Sequence, residues 1–201
     1  PFSGTVPFGV LPQGPADARQ ARLGDTRAVA VGKDGSLYIA DAKYAEAVRR
    51  VGLDGKIETF HKPAGGASAI RMSLRDDGSM FLRLSTNAVV RVSSTGSAVP
   101  GSFQACGQAN ASFDYPLLAL SDDAVLLGCS GELQLVRDGK AMRLVGTSAA
   151  SPPSTGAPLQ VGTGSAYFLR GNAQRDLLWG RSQWIVRRLS LRNVVGSYGA
   201  G

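Results

Sequence analysis

A strand–turn pattern recurs along this chain with a period of about 43 residues and leaves little freedom in the choice of fold. Four segments read as the first strand of a unit: TRAVAVG from Thr26, SAIRMSL from Ser68, PLLALSD from Pro116 and APLQVGT from Ala157. Each runs into a turn signal: Lys33-Asp34-Gly35, Asp76-Asp77-Gly78, Ser121-Asp122-Asp123 and Gly162-Thr163-Gly164. Asp-Gly predicts a two-residue hairpin, because glycine accepts a positive φ without steric cost. Second strands follow from Ser36, Ser79, Ala124 and Ser165, and third strands from Ala47, Ala88, Glu132 and Gln183. A further turn signal (Asp54-Gly55, Thr95-Gly96, Asp138-Gly139, Arg192-Asn193) then leads into KIETFHK, SAVPGSF, KAMRLVG and NVVGSYG.

Four consecutive units of four antiparallel strands predict an all-β chain, a β-propeller with blades at 26–67, 68–115, 116–156 and 157–201. Residues 1–25 form a lead segment in which Thr5-Val6-Pro7-Phe8 has the look of an extra fourth strand. A left-over strand at each end leaves two arrangements open, a closed four-blade ring or part of a larger propeller. Composition agrees: 26 glycines and 10 prolines supply turns, and no helical periodicity competes beyond one turn's worth of residues at Ala16–Ala21. At 201 residues with 43% apolar side chains, the chain buries roughly 70% of its unfolded surface, enough for its own core. The first two strands of each unit are almost wholly apolar, which predicts packing on both faces.

The stretch GPADARQARLGDTRAVAVGKDGSLYIADAKYAEAVRRVGLDGKIETF, residues 14–60, resembles the NHL-repeat family of propellers. It carries a Gly-Pro-Ala-rich lead, a DG-x-LYIAD second strand and a VRRVGLDGKI close. The later three units lack the counterpart of Asp41 and match in strand spacing alone. The resemblance implies a ring of blades used mostly for binding, with enzymes in the minority.

Candidate chemistry is sparse. The only histidine, His61, reads as a rim residue touching water, and a three-histidine zinc site is ruled out by count. Asp25, Asp41 and Asp114 leave a carboxylate calcium site only as a disfavoured alternative and no metal site is assigned, while the aspartates before glycines are explained as turn residues. No nucleophile elbow, phosphate loop or dinucleotide fingerprint occurs, so no cofactor is assigned and enzymatic activity is left open. Cys106 enters the first strand of the third unit and Cys129 ends its second strand, two positions at one end of a blade; they are expected to form a disulfide, which places the protein in an extracellular or periplasmic setting.

Net charge is +7, carried by arginines scattered along the chain rather than in runs. That suits an acidic partner without specifying nucleic acid, whose binding proteins concentrate positive charge. No apolar run approaches the ~20 residues of a membrane-spanning helix, so no membrane insertion is expected. Unit four has a long stretch between its second and third strands, about Gly171–Gln183, read as a loop bearing Arg175, Trp179 and Arg181. With Asp41, Lys43 and Tyr44 of unit one and Arg83 and Asn87 of unit two, these residues make the expected binding surface. The sequence therefore predicts a non-catalytic binding module for a protein or glycan, able to self-associate if a larger ring is to be completed. The alternatives are a nucleic-acid or polyanion binder with an Arg-rich face, and a propeller lyase or hydrolase with a metal at the channel mouth.

Overall fold

The computed structural model describes residues 15–43, 46–104, 117–129, 132–146, 166–171, 176–181 and 186–190. At 102–104, 132, 144–146 and from 166 onward, the backbone alone is described. The chain divides into two units, Pro1–Phe113 and Asp114–Gly201.

In the first unit, β1 (Ala16–Asp17), β2 (Thr26–Val31), β3 (Leu37–Asp41), β4 (Ala47–Val51) and β5 (Lys56–His61) form one antiparallel sheet of order β1-β5-β4-β3-β2. A 3-10 turn over Ala64–Gly66 leads to the second sheet: β6 (Ala69–Leu74), β7 (Met80–Leu84), β8 (Ala88–Val92) and β9 (Ala98–Gln104), in sequence order. In the second unit, β10 (Leu117–Ala119), β11 (Ala124–Cys129), β12 (Glu132–Arg137) and β13 (Lys140–Gly146) make a third meander. β14 (Ala166–Gly171), β15 (Asp176–Arg181) and β16 (Val186–Ser190) make a three-stranded sheet. There is no α-helix among the described residues, and the four-stranded antiparallel meanders are propeller blades. Ala16–Ala21 is a two-residue strand followed by hydrogen-bonded turns, not a helical turn.

The turns hold a correction. Around Asp34-Gly35, Gly35 N–H donates to the Gly32 carbonyl (2.9 Å) and Gly32 N–H to the Ser36 carbonyl (2.7 Å). Gly35 has φ +83°. This is a three-residue loop closed by a left-handed glycine, and it recurs at Gly52–Lys56, Arg75–Ser79 and Ser93–Ser97. Its cause at the Asp-Gly sites is the aspartate side chain: Asp34, Asp54 and Asp77 each accept the N–H two residues on, at 3.0, 3.0 and 2.9 Å. Among the described Asp-Gly turns, only Asp138-Gly139, with φ of +50° and +73°, is the two-residue turn expected.

The core of the first unit lies between its two sheets. Tyr38, Ala40 and Val48 meet Ala69, Met80, Leu82, Leu84 and Val92, each residue two positions from the next along its strand or facing it. Tyr38 and Phe60 touch edge to face with ring centroids 5.0 Å apart. Burying side chains such as Met80 and Leu82, both at 0% exposure, contributes about 1.5–3 kcal/mol each. β7 is buried at every position, as a strand packed on both faces must be. β2 departs from that expectation. It is the sheet's edge, and only its Ala28 side packs on the core, while Val29 and Val31 are 61% and 70% exposed.

Unit four is also reassigned. β14 packs against β10 and β11 as β6 packs against β2 and β3, which makes it a first strand rather than a second. The register agrees. A one-residue bulge interrupts the first strand opposite the end of the second at Arg27, at Ile70 and at Tyr167. Asp176–Arg181 is therefore a second strand, not a long loop. Its short apolar run, Leu177-Leu178-Trp179, lies between charged residues and a glycine that disguise it, yet five or six residues suffice for a strand.

His61 is corrected as well. It is 8% exposed, and its Nδ1 donates to the Gly96 carbonyl at 2.9 Å, joining the last strand of one blade to the outer turn of the next. That approach is possible because position 96 is glycine. A Cβ there would lie 2.1 Å from the Phe60 carbonyl oxygen, on a residue with φ +85°. Gly96→Ala is thus expected to lose at least about 2 kcal/mol more stability than Gly55→Ala, whose Cβ would meet nothing within 4 Å at φ +73°. Urea denaturation of the two variants measures the difference; equal losses would mean the blades are not held at this point.

Candidate binding surface

At the end of the first unit opposite the Asp-Gly turns, backbone groups are tied together by one buried carboxylate. Asp41, 1% exposed at the end of β3, accepts the N–H of Gly24 at 3.2 Å and of Lys43 at 3.3 Å through Oδ1. Ala42 N–H donates to the Asp25 carbonyl (2.9 Å), and the second blade repeats the contact from Ser85 N–H to the Ser68 carbonyl (2.8 Å). Ser68 Oγ donates to the Ala42 carbonyl at 3.1 Å, so the two blades share one hydrogen-bonded rim. Asp25 forms an ion pair with Arg27, on the bulge of β2. Beside this rim lies an open cleft of about 380 Å³ lined by Arg22, Leu23, Gly24, Asp25 and Lys43.

Other candidates are buried behind the rim. Arg83, 0% exposed on β7, donates through Nη2 to Asn87 Oδ1 at 3.1 Å, and Asn87 holds φ +66° in the turn between β7 and β8. The structure thus brings Asp41 to Lys43 and Arg83 to Asn87, but burial leaves Asp41 and Arg83 to act on a surface through the loops they hold. Arg49 escaped the sequence reading. In the pair Arg49-Arg50 alternation sends one side chain to each face of β4: Arg50 shares the face of Tyr38 and Val48, and Arg49, on the opposite face with Ile39, is buried at 1% exposure. Its Nε donates to the Glu58 carbonyl at 3.3 Å, and burial pushes the guanidinium below its ordinary pKa, opposed by the Asp41 charge. Arg22 and Leu23 were also missed, since nothing in the lead segment's composition distinguishes them.

Tyr44, Arg175, Cys106 and Asp114 lie outside the described residues. Trp179 sits in β15 opposite Leu169 and Arg187, and Arg181 takes the register position in its blade that Asp41 takes in the first. Cys129 is buried and is not a free thiol. Among the described residues no group of three or more His, Cys, Asp or Glu side chains is placed to hold a metal ion. No helix among them is long and apolar enough to cross a membrane.

The turn end of the same unit has a cleft of similar volume, about 380 Å³, whose lining includes Asp34, Ser36, Arg50, Leu53, Lys56 and Glu58. Its arginine is matched internally: Arg50 Nη2 pairs with Asp34 at 3.0 Å and Nη1 lies 3.9 Å from Glu58. The Asp–Ser–Arg grouping recurs as Asp77–Ser79–Arg75 and, in the second unit, as Asp123–Ser121–Arg137.

No protein-family model and no curated protein sequence matches the chain. Solved structures do. The chain is similar to virginiamycin B lyase from Staphylococcus aureus, at 14% identity over 83% of this chain and 56% of that one, with a TM-score of 0.53. It is similar to the WD40 β-propeller domain of Doa1, at 16% identity over 84% and 50%, with a TM-score of 0.53. An auxiliary nutrient binding protein from Bacteroides thetaiotaomicron matches at 10% identity over 85% and 46%, with a TM-score of 0.59. At these identities the likeness establishes the fold, a β-propeller. The chain spans about half the length of the structures it matches.

The turn aspartates carry a pH signature. Hydrogen bonds from Ser36, Ser79 and Ser121 hold the carboxyls of Asp34, Asp77 and Asp123 below the ordinary value of 3.8, with arginine charge adding to the effect. A carboxyl whose pKa is lower in the folded state stabilises the fold above its unfolded pKa, and that contribution is lost as pH falls through the folded value. Stability is expected to drop as pH is lowered below about 4. The triple substitution Asp34→Asn, Asp77→Asn, Asp123→Asn should flatten that drop in melts between pH 2 and 6; an unchanged slope would assign the acid sensitivity elsewhere.

Proposed function

We propose that this chain is a non-catalytic binding module of NHL-like propeller type that presents loop side chains to a protein or glycan partner outside the cytosol. The observation that carries the reading is the Asp41-centred rim: its hydrogen bonds fix the loops bearing Arg22–Asp25 and Lys43 before any ligand arrives. Loops already ordered lose little conformational entropy on binding, which is how a rigid scaffold gains affinity. Asp41, Lys43, Tyr44, Arg83 and Asn87 are assigned to this surface within Pro1–Phe113, while Arg175, Trp179 and Arg181 are a separate contribution from Asp114–Gly201. Fold likeness to a lyase and to a nutrient-binding protein is compatible with several activities, and neither one's chemistry is carried over at 14% and 10% identity.

Arrays of peptides and glycans test the reading. Ligands retained by the chain should be weakened by about 2 kcal/mol on Arg175→Ala or Trp179→Ala, or on substitution of Lys43, with melting temperature little changed. Ligands that respond only to Lys56 or Leu53 at the turn end, or a loss of about 3–5 kcal/mol in folding stability for Trp179→Ala, would overturn it.

The setting outside the cytosol rests on a proposed Cys106–Cys129 disulfide, supported by the burial of Cys129 and its lack of a free thiol. Intact mass under non-reducing conditions should be two hydrogens lighter than after reduction. Both thiols alkylating in the native, unreduced protein would remove the argument.

A further inference from the structure

The two faces of the first sheet are covered unequally. Its Tyr38–Ala40–Val48 face packs on the second sheet. On the opposite face, Val29 and Val31 of β2 are 61% and 70% exposed, and Leu37 and Val51, in line with Val31 across the sheet, are half-buried. Register shows what such a face is built for. In the second sheet Met72, Leu74, Met80 and Val92 hold the positions of Val29, Val31, Leu37 and Val51, and all four pack against the sheet before them. Ile39 and Arg49, farther toward the loop end, are already buried, so the open part is a strip at the turn end of β2. Exposed valines along a sheet edge are an invitation to further packing.

The complementary pattern stands in the last sheet. Leu178, Gly180 and Val186 take the register positions of Tyr38, Ala40 and Val48: a large apolar residue, a small one and a valine. Independently of the ligand reading above, we infer that a second copy of this chain docks its β14–β16 sheet on the Val29–Val31 strip, repeating the sheet-on-sheet contact that joins the first two blades. The two copies use different surfaces, and a head-to-tail contact of that kind either closes or propagates. The chain spans about half the length of the propellers it matches, so closure at two copies gives the length of one of them.

Sedimentation equilibrium of the full chain is the test. At about 10 μM the wild type should have the mass of two chains. Val29→Glu/Val31→Glu, at exposed positions that leave the far-UV circular dichroism unchanged, should raise the dissociation constant at least about a hundredfold, since docking would bury unpaired carboxylates. Gly180→Glu should do the same from the other side of the contact, and Leu53→Glu, at a turn residue 82% exposed, should change nothing. If Gly180→Glu does not fold, chains carrying Val31→Cys and Leu178→Cys, mixed and treated with a short bismaleimide, should cross-link to each other and neither to itself. A monomeric wild type, a dimer that survives the two glutamates on β2, a dimer kept in Gly180→Glu, self-cross-linking of Val31→Cys chains, or dissociation by Leu53→Glu would each overturn the inference. The ligand reading stands or falls apart from this result, because the loops Arg22–Asp25 and Lys43 take no part in the contact.

Discussion

Face-to-face packing of alternate strand residues is the contact on which the rest of this structure depends. Tyr38, Ala40 and Val48 project from one sheet into Met80, Leu82 and Leu84 of the next. Small residues opposite long ones let the sheets approach, and Ala40 and Ala69 are fully or almost fully buried at the contact. Everything at the rims follows from this spacing. The Ser68–Ala42 hydrogen bond and the His61–Gly96 hydrogen bond span two blades, and each needs the sheets held at one distance and one stagger. They are located by the core and add specificity to it.

Much of this was legible in the chain because repetition and turn chemistry are local. Glycines 35, 55, 78 and 96 mark hairpins because their left-handed φ is costly for other residues, and all four have it. What the sequence could not distinguish was whether such a turn uses two or three residues, since that depends on the aspartate's hydrogen bond two residues on. Nor did period alone settle unit four. Gly162-Thr163-Gly164, a hairpin signal in the sequence, lies outside the described residues, and DLLWGR resembles a loop until β14 and β16 pair with it on either side. The repeated bulge in the first strand resolves the frame, and it is a backbone feature with no residue type of its own: arginine, isoleucine and tyrosine occupy it.

The candidate site was legible in part. Asp41 and Lys43 stand out as the exit of a second strand, yet Asp41 serves as an acceptor inside the rim rather than as a displayed charge. Arg83 and His61 are polar residues that a strand-by-strand reading places at the surface. Burial of both comes from tertiary packing, which no local pattern encodes. Arg49 illustrates the rule behind these misses. Consecutive arginines on a strand point to opposite faces; Arg50 keeps contact with solvent, while Arg49, on the buried face with Ile39, is desolvated and finds a carbonyl, that of Glu58.

The bulge in the first strands has a consequence for how such a chain can vary. An added residue opposite none reverses the sidedness of everything before it relative to everything after. Thr26 and the lead segment are thereby phased independently of Ala28 through Val31, which pair with β3 and meet the core at Ala28. A length change on the loop side of Arg27, Ile70 or Tyr167 is absorbed before it reaches the packed strand. The bulge works as a phase insulator, separating the register that builds a blade from the register that displays its loops.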